Sequence, residues 1–403
     1  MTVTAPAASP EHLNEVMIDA IAAARPVGTS DPRVLDAIRA VPRHAFVPGA
    51  SLADAYNPEL AVITKRDTGG KSLSCASVPC LVGAMLGQLD VRDGDRVFEA
   101  GAGTGWNAAL LATLAGPGGH VTTIDIDPEI TAQAAASLER AGFPGVHVAT
   151  GDAGLGVPDN APYDRAIITI GSLDVPPAWF GQLKPGGRLV VPLRWRGQTQ
   201  CVALVLGDDG LLHSDSAFLC GFVPMTGQDW EHSAALDPGD LVRLYWDADQ
   251  DISPAQLHGV LDRPKTRIDS GTTVGPMEPL DAIWVRATAT DPAVCRISAE
   301  PAAVTGGLCI PVVKSRTLAL AEGDSIAYLA VQRLQTPEPS FRLDAIGHGP
   351  DGAGLAERLC RHVGTWGADR TARPAITIYP HSAPRTAGTQ VITREHCEMT
   401  VTY

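Results

Sequence analysis

Long apolar runs are missing from these 403 residues. No stretch of about 18 uninterrupted apolar residues occurs, so no membrane-spanning helix is predicted. Basic charge is scarce: 31 Lys and Arg stand against 45 Asp and Glu, a formal net charge of −14. Gripping a phosphate backbone takes clustered Lys and Arg, which excludes nucleic acid as an expected partner. The eight cysteines form no C-x-x-C pair. Their scatter predicts reduced core thiols rather than disulfides or zinc. The eleven histidines form no H-E-x-x-H or comparable cluster, so no metal is expected. The Ala/Pro/Thr-rich start has neither the basic nor the apolar region of a signal peptide, and the expected location is the cytoplasm. No internal repeat is present, and oligomeric state leaves no trace.

What is present is globular. The chain is 45% hydrophobic and 19% charged, enough apolar content for a core, and its length suits two domains. Residues 1–11 read as a disordered tail. Leu13, Val16, Met17, Ala20, Ile21 and Ala24 then recur at helical spacing. Ser30-Asp31-Pro32 is a helix start, and Ser77-Val78-Pro79 opens another. The stretch after Pro48 reads as irregular. From Arg96 the pattern alternates: strands near 96–100, 120–126, 146–150, 164–170 and 187–193, helices near 104–115, 128–142 and 176–183, and a further strand at 199–207. That alternation predicts a mostly parallel sheet with helices on both faces. Beyond about residue 225 the character changes. Seven acids between Asp229 and Asp251 read as a surface connection. A hairpin is predicted around Glu322-Gly323-Asp324, a helix over 351–366, and strands at 376–380 and near the end. The expected organisation is a catalytic domain over 12–225 and a C-terminal α+β domain or extension over 226–403.

The chemistry is concentrated in VFEAGAGTGWNAALLATLAGPGGHVTTIDIDPE (97–129). A dinucleotide fingerprint, G-x-G-x-x-G, needs a glycine where Trp106 stands. The pattern present is E-x-G-x-G-x-G: Glu99, Gly101, Gly103 and Gly105. It is the usual form of an S-adenosylmethionine (SAM) site. Glycines let backbone N–H groups approach a ligand, and the following helix N-terminus favours its carboxylate. Asp125 ends the second strand, where a carboxylate can accept ribose hydroxyls. Asp152 and Ala153 follow the third strand, where a side chain can bond the adenine amino group. Three such elements at successive strand ends point to SAM and to a Rossmann-like methyltransferase fold preceded by N-terminal helices.

The residues around that core resemble protein L-isoaspartyl O-methyltransferases. VPRHAFVP (41–48), Ala55-Tyr56, APYD (161–164) and QLKPGGRLVVP (182–192) match the family's stretches in order, across about residues 12–210. The resemblance implies carboxyl methylation. It aligns Ser77 with the family's active-site serine in T-I-S-x-P, here Cys75-Ala76-Ser77-Val78-Pro79, with Thr and Ile replaced. Ser74 and Ser72 are nearby alternatives for catalysis or acceptor binding. Ser77 also suits a plain helix cap. Arg194 suits a second anchor for an acidic substrate, or a solvated strand-end charge.

The second half has no counterpart in the repair enzymes of this family as the resemblance frames them. It resembles more closely a branch that tailors ribosomally made peptides such as lanthipeptides and graspetides, whose members carry C-terminal extensions. CGFVPMTG (220–227) and GHGPDG (347–352) look like features of that branch. The resemblance implies methylation of an aspartate in a modified peptide, followed by closure to aspartimide and hydrolysis to isoaspartate. The C-terminal domain would then recognise the peptide. Two alternatives stand beside it: isoaspartate repair of damaged proteins, and a non-catalytic peptide-binding protein that retains SAM.

Overall fold

Proline and its capping neighbours set the first helices. Ser9 accepts from the His12 N–H ahead of the helix Pro10–Ala23, and Asp31 accepts from the Arg33 N–H ahead of Pro32–Ala40. In each, proline occupies a first-turn position whose N–H would have no partner in the helix. The computed structural model describes residues 9–24, 28–70, 72–381, 383 and 390–403. The tail expected over 1–11 lies outside the described residues up to residue 8, and helix already begins at Pro10. The first helix buries Met17, Ile18 and Ile21, while Val16 is half exposed.

The described residues form two compact units. One comprises residues up to Leu193 with Gln200–Thr226; the other comprises Arg194–Thr199 and Gly227–Tyr403. In the first, β1 (Val62–Arg66) and β2 (Ser72–Ala76) form a separate antiparallel hairpin. This hairpin lies in the stretch expected to be irregular. The helix Pro79–Leu89 follows, and then the main sheet: β3 (Arg96–Ala100), β4 (His120–Asp125), β5 (His147–Thr150), β6 (Tyr163–Ile168), β7 (Leu183–Trp195), β8 (Gln198–Leu206) and β9 (Leu212–Leu219). Their order is β9-β8-β7-β6-β3-β4-β5. The pairs β7-β6, β6-β3, β3-β4 and β4-β5 are parallel, and β8-β9 is antiparallel. The chain enters at β3, builds outward to β5, then returns to the other side of β3 with β6. Ligands of such sheets bind at the carboxyl ends of the strands where this reversal opens a crevice. Met17, Ile38, Leu86, Val97, Trp106 and Leu110 belong to one core that joins the N-terminal helices to the sheet. Complete burial of a large apolar side chain contributes about 1.5–3 kcal/mol, so this contact fixes the helices firmly.

The second unit is built on a seven-stranded antiparallel sheet: β10 (Glu231–Ala235), β11 (Val242–Asp247), β12 (Lys265–Val274), β13 (Val294–Ala299), β14 (Thr317–Glu322), β15 (Ser325–Arg333) and β16 (Phe341–His348), in the order β10-β11-β13-β14-β15-β16-β12. The helices Asp281–Thr288 and Gly352–Ala368 share one core with it, through Ile283, Trp284, Leu355, Leu359 and Val363. β17 (Ala375–Pro380), β18 (Val391–Thr393) and β19 (Cys397–Thr402) pair antiparallel in the order β18-β19-β17. The acidic segment 229–251 is therefore not a surface connection. It supplies β10 and β11, and Asp247 is wholly buried. Its carboxylate takes Arg196 at 3.2 Å and Arg394 at 2.8 Å, while Asp249 holds the other side of Arg196. Trp195, also wholly buried, donates to Thr288 Oγ1 at 3.1 Å. Asp247 and Asp249 looked solvated because their arginine partners are remote in the chain, whereas Asp229, Asp240 and Asp251 are indeed exposed. Among the described residues no helix is long and apolar enough to cross a membrane.

Candidate active site

The turn after β3 depends on its glycines. Gly101, Gly103 and Gly105 have φ of 98°, 50° and 85°, a region that residues with a Cβ rarely adopt. At Gly101 a Cβ would also lie 2.5 Å from Thr169 Oγ1, so Thr169 at the end of β6 packs against bare backbone. The Gly101 N–H is already used: it donates to the Ile124 carbonyl at 2.8 Å. Its contribution is the turn itself. The Gly103 N–H makes only a long contact, 3.4 Å, with Asp125 Oδ2. Gly105 caps the helix Trp106–Ala115.

Around this turn lies a cavity. It is lined by Glu99, Gly101, Gly103, Thr104 and Asn107, by Cys75, Ala76 and Ser77, and by the apolar Val82, Met85 and Phe222. Glu99 is wholly buried. Asn107 Nδ2 donates to its Oε1 at 2.7 Å, and its Oε2 has no hydrogen-bond partner. Burial pushes the Glu99 carboxyl up to about 7, against the opposing pull of its hydrogen bonds. A buried carboxyl lining a cavity favours a ligand that brings positive charge or a donor.

Asp125 stands at the end of β4. Its Oδ1 accepts the Asp127 N–H at 3.2 Å, and burial raises its pKa. Asp152 caps the short helix Ala153–Leu155, accepting the Gly154 N–H at 2.8 Å. The Ala153 carbonyl accepts from the Trp179 indole at 2.9 Å. Beside these two acids Ile126 and Leu155 are more than half exposed, apolar surface at the strand ends.

Of the three candidate serines, Ser77 alone lines the cavity with Glu99 and the glycines. Ser74 lines a neighbouring cleft of about 680 Å³ and accepts from Thr64 at 3.2 Å. Ser72 accepts from Arg66 at 3.2 Å. Ser77 is not the helix cap: the N-cap of Pro79–Leu89 is Val78, with no side-chain cap bond. Arg194 is engaged by Glu231, which accepts three hydrogen bonds of 2.6–2.9 Å. Lys65 on β1 bonds Asp127 at 2.6 Å and Glu129 at 2.7 Å, clasping the hairpin to the segment after Asp125.

Sequence reading missed Asn107, Thr169 and Phe222 as parts of the site. Phe222 arrives because segment 223–225 pairs with the turn after β6: the Gly171 N–H donates to Val223 at 2.8 Å and the Met225 N–H to Gly171 at 2.7 Å. The motif CGFVPMTG could have found it. GHGPDG, by contrast, makes a tight return from β16 to the next helix. A Cβ on Gly347 would meet the Gly352 carbonyl oxygen at 1.8 Å.

A family profile described as protein-L-isoaspartate(D-aspartate) O-methyltransferase matches residues 13–230. A protein-L-isoaspartate O-methyltransferase of Methanopyrus kandleri is 37% identical over 198 residues, 49% of this chain and 84% of the relative. One from Anaeromyxobacter dehalogenans is 39% identical over 202 residues, 50% of this chain and 92% of the relative. A solved structure titled protein-L-isoaspartate O-methyltransferase superposes with a TM-score of 0.51 at 19% identity, covering 96% of this chain and 99% of that one. At that identity the likeness is one of fold. It nonetheless corrects the expectation that the second half lacks a counterpart among proteins so titled. The profile also takes in 220–227, so CGFVPMTG lies within the stretch matched to the family as a whole.

Proposed function

This chain belongs to the protein-L-isoaspartate(D-aspartate) O-methyltransferase family, and from that premise we propose that it methylates the free carboxylate of an L-isoaspartyl residue in a protein or peptide. It is a SAM-dependent carboxyl O-methyltransferase. The observation that carries the reading is Ser77 sharing one cavity with Glu99 and the glycine turn.

The cofactor fits the residues present, because the buried Glu99 carboxyl lining the cavity suits a cationic ligand and the three positive-φ glycines keep side chains out of its seat. Gly101, Gly103 and Gly105 would shape that seat, Asp125 would accept the ribose hydroxyls, and Asp152 with Ala153 would take the adenine edge. When bound, SAM supplies an electrophilic sulfonium methyl. The acceptor carboxylate is anionic at neutral pH and needs no general base. Among the described residues no histidine lines the cavity. Ser77 would donate its hydroxyl to the acceptor carboxylate and orient it in the cavity. Alignment of this kind is worth on the order of 7–11 kcal/mol, and Val82, Met85 and Phe222 keep water from competing. Arg194 has no part in this assignment, since Glu231 already holds it. Recognition of the polypeptide is assigned to the C-terminal unit, where surface substitutions should raise KM and leave cofactor binding intact.

A second reading is methylation of an aspartate in a ribosomally made, modified peptide, with aspartimide and isoaspartate to follow. Cys75 and Ala76, in place of the family's Thr and Ile, favour it by altering the cavity wall. Release of S-adenosylhomocysteine should be followed with matched linear peptides containing isoaspartate or aspartate, and with ring-bearing peptides. Turnover on the isoaspartyl peptide alone supports repair. Turnover on ring-bearing aspartyl peptides alone supports the second reading, and none on any carboxylate returns the protein to a binding role.

A further inference from the structure

Behind Ser77 lies a guanidinium that no described carboxylate neutralises. Arg43 is wholly buried. It lies over the indole of Trp106, 4.5 Å from the ring centre. Its Nη2 donates to two consecutive carbonyls, Ala76 at 3.1 Å and Ser77 at 2.8 Å. Its Nε and Nη1 have no hydrogen-bond partner. Burial draws its pKa down to about 10, so the group stays cationic at neutral pH. A buried charge without a counter-ion costs stability, and such groups concentrate at functional sites.

The two carbonyls have a specific meaning. One belongs to the peptide plane before the Ser77 Cα, the other to the plane after it. Holding both fixes φ and ψ of that residue, and so the direction of its Cα–Cβ bond. Ser77 sits between the end of β2 and the helix at Pro79, outside any regular element. The β1–β2 ladder ends at Ala76, opposite Val62, and Ser77 lies beyond it.

We propose that Arg43 is the positioning residue for Ser77, fixing the two peptide planes that flank the serine and setting a positive charge behind the seat of the acceptor carboxylate. The inference rests on the methyl-transfer reading above. It treats Arg43 as acting through Ser77 without touching substrate.

Arg43→Lys keeps the charge and loses the fork; Arg43→Gln keeps a donor and loses the charge. Each would be assayed with an isoaspartyl peptide, alone and combined with Ser77→Ala, with S-adenosylhomocysteine affinity measured by calorimetry. Arg43→Lys should lower kcat by about ten- to a hundredfold, the range a small misplacement produces, with cofactor affinity little changed. Arg43→Gln should in addition raise KM. On the Ser77→Ala background most of the kcat loss should vanish, because the two residues act as one device. Losses that multiply, or a wild-type kcat in Arg43→Lys, overturn the proposal. Hydrogen exchange across residues 72–78 needs no acceptor. Faster exchange there in Arg43→Lys, with the rest of the chain unaltered, supports the proposal; unchanged exchange overturns it. A wild-type enzyme that ignores the isoaspartyl peptide would sink the functional reading while the exchange experiment still decides the role of Arg43. Should Arg43→Gln fail to fold, Arg43→Lys alone carries the test.

Discussion

The side-chain amide of Asn107, in the first turn of the helix after the glycine turn, holds Glu99 Oε1 at 2.7 Å. Glu99 is wholly buried and its carboxyl is pushed up to about 7 from an ordinary value of 4.5. The folded protein therefore keeps a proton in that window that the unfolded chain has lost. Its contribution to stability is complete below about pH 4.5 and is lost as pH rises to about 7. Glu99→Gln abolishes this slope and leaves an acceptor for Asn107. Without cofactor, the variant should gain on wild type by up to a few kcal/mol between pH 4.5 and 8. Denaturant unfolding across that range measures it, and parallel profiles for the two proteins would refute the assignment.

Asp125→Ala should weaken S-adenosylhomocysteine binding with little loss of fold. Each charge-assisted hydrogen bond removed costs about 1.5–3 kcal/mol. The long contact from the Gly103 N–H goes with it, so the turn should also loosen. Calorimetry decides the matter: unchanged affinity removes Asp125 from the ribose.

Ser77→Ala should lower kcat more than cofactor affinity. Since Val78 holds the cap position, the thermal midpoint should stay near wild type. A large fall in stability with unaltered kcat per folded enzyme would give Ser77 a structural role.

Gly347→Ala should destabilise the C-terminal unit. The added Cβ meets the Gly352 carbonyl, backbone that cannot swing away. A loss of about 2 kcal/mol or more is expected, the scale of a core overpacking. Calorimetric unfolding checks it, and a wild-type midpoint would show that the return is not tightly packed.

The first half of this sheet was legible because β3, β4 and β5 each end in a residue with a local reason to be there: a glycine at 101, an acid at 125, a Gly-Asp turn at 151–152. Such signals act within a few residues. Asp247 shows what local signals omit. Its partners at 196 and 394 are far away in sequence, so the segment around it read as solvated. Phe222 and Arg43 were passed over for the same reason. Both sit in quoted motifs, but what each contributes depends on elements distant in the chain. The hairpin β1–β2 was missed because the alternation on β2 is inverted: Leu73 is 44% exposed while Ser74 is buried.

The residues 194–199, at the turn between β7 and β8, belong with the second unit although their flanking residues belong with the first. A chain leaving the ribosome from its N-terminus presents Trp195 and Arg196 early. The hydroxyl of Thr288, the carboxylates of Asp247 and Asp249 and the guanidinium of Arg394 emerge only afterwards. Until nearly the last strand has been made, this turn carries an unburied indole and an unmatched arginine. Synthesis interrupted near residue 226 would therefore release a nascent product with an adhesive tip, a substrate for chaperones rather than a small working enzyme.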